Sequence, residues 1–254
     1  MYTLQDVKRV QDRLLVMAKT IKSILEKENI PYFITYGTLL GAVRHQGFIP
    51  WDDDFDFYLF DDSYDSAMEV LQKELPDDMF LENAESEPLF FHGWGRVKDK
   101  NSIVTFDLFP QDSVYAHKGL TIDLFRTVLI PENREKLYRA KQHLEYIKRR
   151  YSHGLFTETE YQKKECLILK EIEKEKESSA TPSNKKIYAF CINYDDRLYP
   201  EELFPLRQYR FEDTEFLGPN KPEALLTRCY GDFMQLPPME KRKPHYSSVE
   251  FLDK

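Results

Sequence analysis

Apolar positions recur at helical spacing from the start of the chain. Val7, Val10, Leu14, Met17, Ile21 and Ile24 fall on one face and predict an amphipathic helix over residues 4–28. Thr3 followed by Asp6 opens it as a capping box. Asn29 and Pro31 stop it. A strand over 32–36 then ends at Gly37, and residues 39–44 predict a short helix beside Thr38. After residue 50 the spacing changes to alternation. Asp54 and Asp56 are interleaved with Phe55 and Phe57, so on an extended strand both carboxylates share one face while two phenylalanines enter a core. That strand is placed at 55–60 and a helix at 63–75. Strand pieces follow at 80–83, 89–98 and 103–107. A longer strand at 121–129 is closed by Pro131.

Composition shifts at residue 132. From there to 177 the chain is rich in Lys, Arg and Glu, with Leu137, Ala140, Leu144, Ile147 and Tyr151 forming an apolar stripe at helical spacing. A second helix is predicted over 157–177 and a third over 184–193. A hairpin at 207–216 and a helix at 222–230, ended by Gly231, complete the pattern. These elements predict a mixed α/β (α+β) fold in one domain, residues 1–254. Its core is 1–131 and 196–254, with flanking helices and a helical insertion at about 132–195.

The formal net charge of −8 argues against bulk electrostatic attraction to nucleic acid or to an anionic membrane, and leaves either open only to a local basic patch. Residues 1–12 are polar and charged, unlike a secretory leader, and no apolar run approaches the ~20 residues of a membrane span. Cys166, Cys191 and Cys229 are isolated and odd in number, which points to reduced thiols in the cytoplasm.

Two acids on one strand face repel unless a cation lies between them. A hard divalent ion such as Mg²⁺, with Mn²⁺ the alternative, takes oxygen ligands and keeps positions for phosphate. Asp54 and Asp56 are the first candidates and Asp52 a further ligand. Asp123, flanked by Ile122 and Leu124, is a third acid projecting from a strand. Alone, residues 52–56 also fit a solvated acidic turn. An EF-hand is excluded, because Phe57 stands where Gly is needed and Ser63 where Glu is needed.

The run Gly37-Thr38-Leu39-Leu40-Gly41-Ala42-Val43-Arg44-His45, continuing into Phe48-Ile49-Pro50-Trp51-Asp52-Asp53-Asp54-Phe55-Asp56, resembles the LicD family of phosphocholine transferases, which includes the fukutin-related proteins. The resemblance returns at Arg96-Val97-Lys98-Asp99-Lys100, at Ile122-Asp123-Leu124-Phe125 and from Tyr230 to Arg242. It implies a nucleotidyltransferase-like core: a Gly-Thr turn at Gly37 and Thr38, an acid pair at Asp54 and Asp56, and a third acid at Asp123. It also implies CDP-choline or another CDP-alcohol as donor and a sugar hydroxyl, free or lipid-linked, as acceptor. Lys241 and Arg242 would close the site, whereas taken alone the run Lys241, Arg242, Lys243 and His245 fits a solvated tail. The chain departs from the family at Arg126-Thr127 and at Pro244-His245-Tyr246.

Arg44 and His45, between the turn and the acids, are candidates for phosphate contact, as are Arg96 and Lys98, which alternate on a strand. Each also fits an ordinary surface residue. Trp51, Trp94 and Tyr36 are candidates for a choline cage through cation–π attraction, or are rim aromatics. The basic residues Lys136, Arg139, Lys141, Lys148, Arg149 and Arg150 fit either a solvated helix face or a contact with the inner face of a membrane. Two other functions stay open: transfer of a nucleoside monophosphate from a triphosphate with pyrophosphate release, and non-catalytic binding of glycan or nucleotide.

Overall fold

The structure is a computed structural model that describes residues 3–105, 114–181, 183–189 and 197–252. The chain runs through α1 (Leu4–Lys27), β1 (Tyr32–Ile34), α2 (Tyr36–His45), β2 (Asp56–Phe60), α3 (Asp61–Glu74), β3 (Met79–Glu82), β4 (Gly95–Asp99), β5 (Ser102–Thr105) and β6 (Thr121–Pro131). It continues through α4 (Glu135–Ser152), α5 (Glu158–Ser178), β7 (Lys186–Ala189), α6 (Pro200–Leu203), β8 (Arg207–Phe211), β9 (Thr214–Gly218), α7 (Pro222–Tyr230) and β10 (Ser248–Phe251).

The central sheet has the order β1-β2-β6-β4-β3, with β7 also paired to β6. β2 and β6 are parallel, and the other neighbours in this sheet are antiparallel. The fold is therefore mixed α/β. α1 forms as its spacing dictates: Thr3 accepts from the Asp6 amide, Asp6 reaches back to the Thr3 amide, and the stripe Val10, Leu14, Met17 and Ile21 is fully buried. Phe55 and Phe57 are also fully buried and join Phe211 and Phe216 of the β8–β9 hairpin, with ring centroids 5.0–5.8 Å apart across the two strand pairs. Burying each such ring contributes about 1.5–3 kcal/mol. The hairpin thus braces the strand that carries the acids, from the face opposite them.

Several elements differ from expectation. The helix predicted over 184–193 is a strand at 186–189, and 190–193 lie outside the described residues. Ile187 and Ala189 are buried, and Tyr188 between them packs on Phe60 and Phe204, so the segment completes the free edge of the long β6. The strand expected at 89–98 is confined to 95–99. Its first part is a turn in which the Phe90 amide donates to the Glu87 carbonyl at 2.9 Å. The strand at 103–107 spans 102–105, and 106–107 lie outside the described residues. β10, not anticipated, returns from the C-terminal region to pair with β5. α4 and α5 pack on each other around Ala140, Leu144, Ile147, Ile168 and Ile172, a cluster separate from the main core. Among the described residues no helix is long and apolar enough to cross a membrane.

Candidate active site

The parallel pairing of β2 with β6 sets Asp56 directly beside Asp123. The β4 register sets Arg96 beside Asp123 in turn, and β3 sets Glu82 beside Arg96. One row across four strands therefore reads Asp56, Asp123, Arg96, Glu82. Arg96 donates from Nε to Asp123 Oδ1 at 3.0 Å, and Trp94 Nε1 donates to the same oxygen at 2.6 Å. Glu82 Oε2 is 3.9 Å from Arg96 and 4.0 Å from Lys98, whose Nζ donates to Thr121 at 2.8 Å.

Gly37 and Thr38 lie in the first turn of α2, not in a turn before it. A Cβ at Gly37 would stand 2.9 Å from Asp52 Oδ2 and 3.8 Å from Asp54 Oδ1, so glycine there makes room for the two carboxylates. Thr38 is buried, and its hydroxyl accepts from the Asp56 amide at 3.0 Å. Its contact is with the backbone of the acid-bearing strand. Buried Gln11 on α1 holds the approach to that strand, donating to the Ile49 and Asp52 carbonyls at 3.1 and 2.8 Å.

These residues surround a cleft of about 1350 Å³. Tyr36, Gly37, Arg44, Trp51, Asp52, Asp54, Asp56, Trp94, Arg96, Lys98, Asp123 and Lys241 all line it. Thr38, His45 and Arg242 do not. His45 faces the Trp51 ring edge-on, with centroids 6.4 Å apart. Arg242 lies over the Trp51 ring at 5.2 Å and donates to the Pro237 carbonyl at 2.8 Å. Arg44 donates to the Phe233 carbonyl at 2.6 Å, tying α2 to the segment after α7.

The part of the site that spacing did not reveal is Asp53 with His245. Asp53 is fully buried and accepts from the His245 amide at 2.7 Å and the Tyr246 amide at 3.1 Å. The His245 imidazole Nδ1 lies 3.1 Å from Asp53, 3.6 Å from Asp52 and 3.6 Å from Asp54. Its hydrogen bond to Asp53 and the charges of Asp54 and Asp52 raise its pKa to about 10. Removal from bulk water, then the neighbouring Asp54, pushes Asp52 and Asp56 well above the usual carboxylate range. Asp54 is raised too, first by removal from water, although His245 works the other way. The only sequence sign of this arrangement was a His after the basic run 241–243, and nothing local links it to an acid so distant in the chain. Tyr230 also lines the cleft, as do His117 and Lys118, which the sequence did not single out.

Donor atoms of Asp52, Asp53 and His245 lie within 4.8 Å of one another, a group able to hold a metal ion. The chemistry of the wider set fits a hard divalent cation. Carboxylates crowded until they resist ionisation regain their charge when a cation replaces the protons. Phosphoryl transfer asks for this combination: acids for a cation, guanidinium and ammonium groups for phosphate oxygens, and walls that exclude water.

A mixed sheet with Asp56 and Asp123 side by side on its two parallel strands, facing one cleft, is an arrangement that suits a nucleotidyltransferase-type domain. Residues 29–133 match the family model described as LicD/FKTN/FKRP, nucleotidyltransferase domain. That match takes in Gly37, Thr38, Asp54, Asp56 and Asp123, so the part of the chain that carries the acids is what is similar to the LicD family. The chain is similar to the lipopolysaccharide cholinephosphotransferase LicD of Haemophilus influenzae, 28% identical over 257 aligned residues that cover 91% of this chain and 92% of that protein. It is also 27% identical to an uncharacterized protein of Rickettsia prowazekii over 87% of this chain, which spans 54% of that protein's length. An uncharacterized protein of Rickettsia typhi is 33% identical over 41% of this chain and 36% of its own length.

Proposed function

We propose that the protein transfers a phospho-alcohol from a CDP-alcohol, foremost phosphocholine from CDP-choline, to a sugar hydroxyl of a cell-surface glycan or its precursor, in the cytoplasm. The observation that carries this reading is the row of Asp56 and Asp123 on adjacent parallel strands, with Asp52 and Asp54 beside it, in a cleft walled by Arg44, Arg96 and Lys98. Similarity to a cholinephosphotransferase over nearly the whole chain supports the choice of donor. The core is 1–131 with 196–254, and the insertion at 132–195 stands outside the chemistry, as the separate apolar cluster of α4 and α5 supports.

Asp54, Asp56 and Asp123, with Asp52 beside them, would hold Mg²⁺ or Mn²⁺, which when bound offsets the charge of the diphosphate and of the transition state. The chain's own groups do the remaining work. Arg44 and Lys98 bind the donor's phosphate oxygens, with Lys241 at the mouth. Trp94 and Arg96 fix Asp123 through Oδ1, which leaves Oδ2 to take the proton of the acceptor hydroxyl. The acceptor oxygen attacks the phosphorus that bears the alcohol. A new P–O bond forms, the bond to the bridging oxygen breaks, and CMP departs with that electron pair. Trp51, Trp94 and Tyr36 supply aromatic surface for a trimethylammonium group, which offers no hydrogen-bond donor.

Incubation with a panel of CDP-choline, CDP-ethanolamine, CDP-glycerol, CDP-ribitol, CTP and ATP tests this. CMP release from a CDP-alcohol is expected. Pyrophosphate release from a triphosphate, with no CMP from any CDP-alcohol, would assign nucleotidyl transfer instead.

A further inference from the structure

The wall of the cleft that follows α7 has an unusual outer side. Met234, Leu236 and Met239 are 57%, 44% and 73% exposed within six residues of chain, and Tyr230 at the end of α7, on the cleft side, is 42% exposed. The other exposed large apolar side chains among the described residues are single, as Val16 on α1, Leu129 on β6 and Phe204 after α6, apart from the pair Leu167 and Leu169 on α5. The segment is not loose: Arg44 holds the Phe233 carbonyl at 2.6 Å and Arg242 holds the Pro237 carbonyl at 2.8 Å. Its backbone is anchored inward while Met234 and Met239 lie outside the cleft lining, and Leu236 continues the apolar surface into it.

Water is a poor environment for such a cluster, and its position at the mouth makes it a contact surface. Lys241, Arg242 and Lys243 follow directly, against Asp232 and Glu240, so this edge is net positive in a chain of net charge −8. Long, flexible side chains on an irregular proline-bearing segment, flanked by cations, suit the headgroup boundary of an anionic bilayer better than the flat apolar face a second protein would need.

We propose that the edge formed by residues 230–243 docks on an anionic lipid surface, inserting Met234 and Met239, so that the cleft mouth meets an acceptor carried in that membrane. The delivery of an acceptor rests on the transfer reading above; docking itself is measured without turnover, so either can fail alone.

Sedimentation of the full chain with phosphatidylglycerol-containing vesicles and with pure phosphatidylcholine vesicles tests the proposal. The wild type is expected to bind the anionic vesicles at least ~10-fold more strongly, with binding weakened by salt. The variant combining Met234→Glu and Met239→Glu should lose ~10-fold or more of that binding while its Tm and its CMP affinity stay those of the wild type. No binding by the wild type, or undiminished binding by the folded double variant, overturns the proposal. A dimer that the same substitutions dissolve, without vesicle binding, would overturn it in favour of a second copy of the chain.

Discussion

Two charged stretches stand out along this chain, and the structure treats them in opposite ways. On α4 four of the six cations engage groups close by. Arg139 pairs with Glu135 at 2.9 Å one turn away and Lys148 with Glu145 at 3.0 Å. Arg149 donates to the Phe91 carbonyl at 2.9 Å, and Arg150 lies against the rings of Phe91, Tyr146 and Phe156. Between residues 52 and 56 the carboxylates are instead pressed towards one another, and the imidazolium among them comes from the far end of the chain. Charges that neutralise one another locally make a stable surface. Charges held in conflict by the fold store affinity for a ligand of opposite sign.

The largest expected effect tests that conflict. Asp54→Asn, Asp56→Asn and Asp123→Asn should each reduce CMP release by ~10³-fold or more, the upper range for loss of a transition-state charge contact. In chelator the Asp56 variant should melt no lower than the wild type, because a repelling acid has been removed. Wild-type turnover in that variant, or full activity in excess chelator, would remove the functional side of the comparison.

Next is Arg44→Ala, expected to slow transfer or weaken donor binding by ~10²-fold, with Lys98→Ala doing less. Kinetics unchanged in both would place the phosphate elsewhere. Trp51→Ala should cost CDP-choline ~0.5–2 kcal/mol of affinity and CMP less. Equal loss for both ligands, read by calorimetry, would make Trp51 structural, as its contact with Arg242 allows.

His245 sharpens the comparison through pH. Its pKa is higher in the fold, about 10, than its ordinary value of 6.5, so its stabilisation is complete below 6.5 and is lost as pH rises through about 10. In metal-free buffer His245→Ala should lower Tm most near pH 6.5, and the gap to wild type should close towards pH 10. A gap independent of pH would mean that packing, not charge, holds the residue. The smallest effect belongs to α4. Lys148→Ala, with both partners of its pair exposed, should change stability by ~0.5 kcal/mol or less and leave turnover unaltered.

Elements whose logic is local were readable in advance. The capping box and apolar stripe of α1 predict it to within one residue of its end. The alternation at 54–57 separates acids from buried rings without any tertiary information. β7 was misread because four residues carry little periodicity, and what selects strand there is the open edge of β6. The Gly-Thr pair was legible as important, but not as a pair that makes room for Asp52 and holds the Asp56 amide, since both contacts cross from a helix to a later strand.

The sequence by itself determined the longer helices, the alternation that turns Asp54 and Asp56 away from the core, and the residue types able to hold a cation and a phosphate. These follow from spacing along a regular backbone and from the chemistry of single side chains. Only the tertiary structure decided that Asp56 stands beside Asp123, that Arg96 and Trp94 share one oxygen of that acid, and that Asp53 captures His245. Those contacts depend on strand order and on the return of the C-terminal segment. They are set by the burial of surfaces far apart in the chain, which no local pattern encodes.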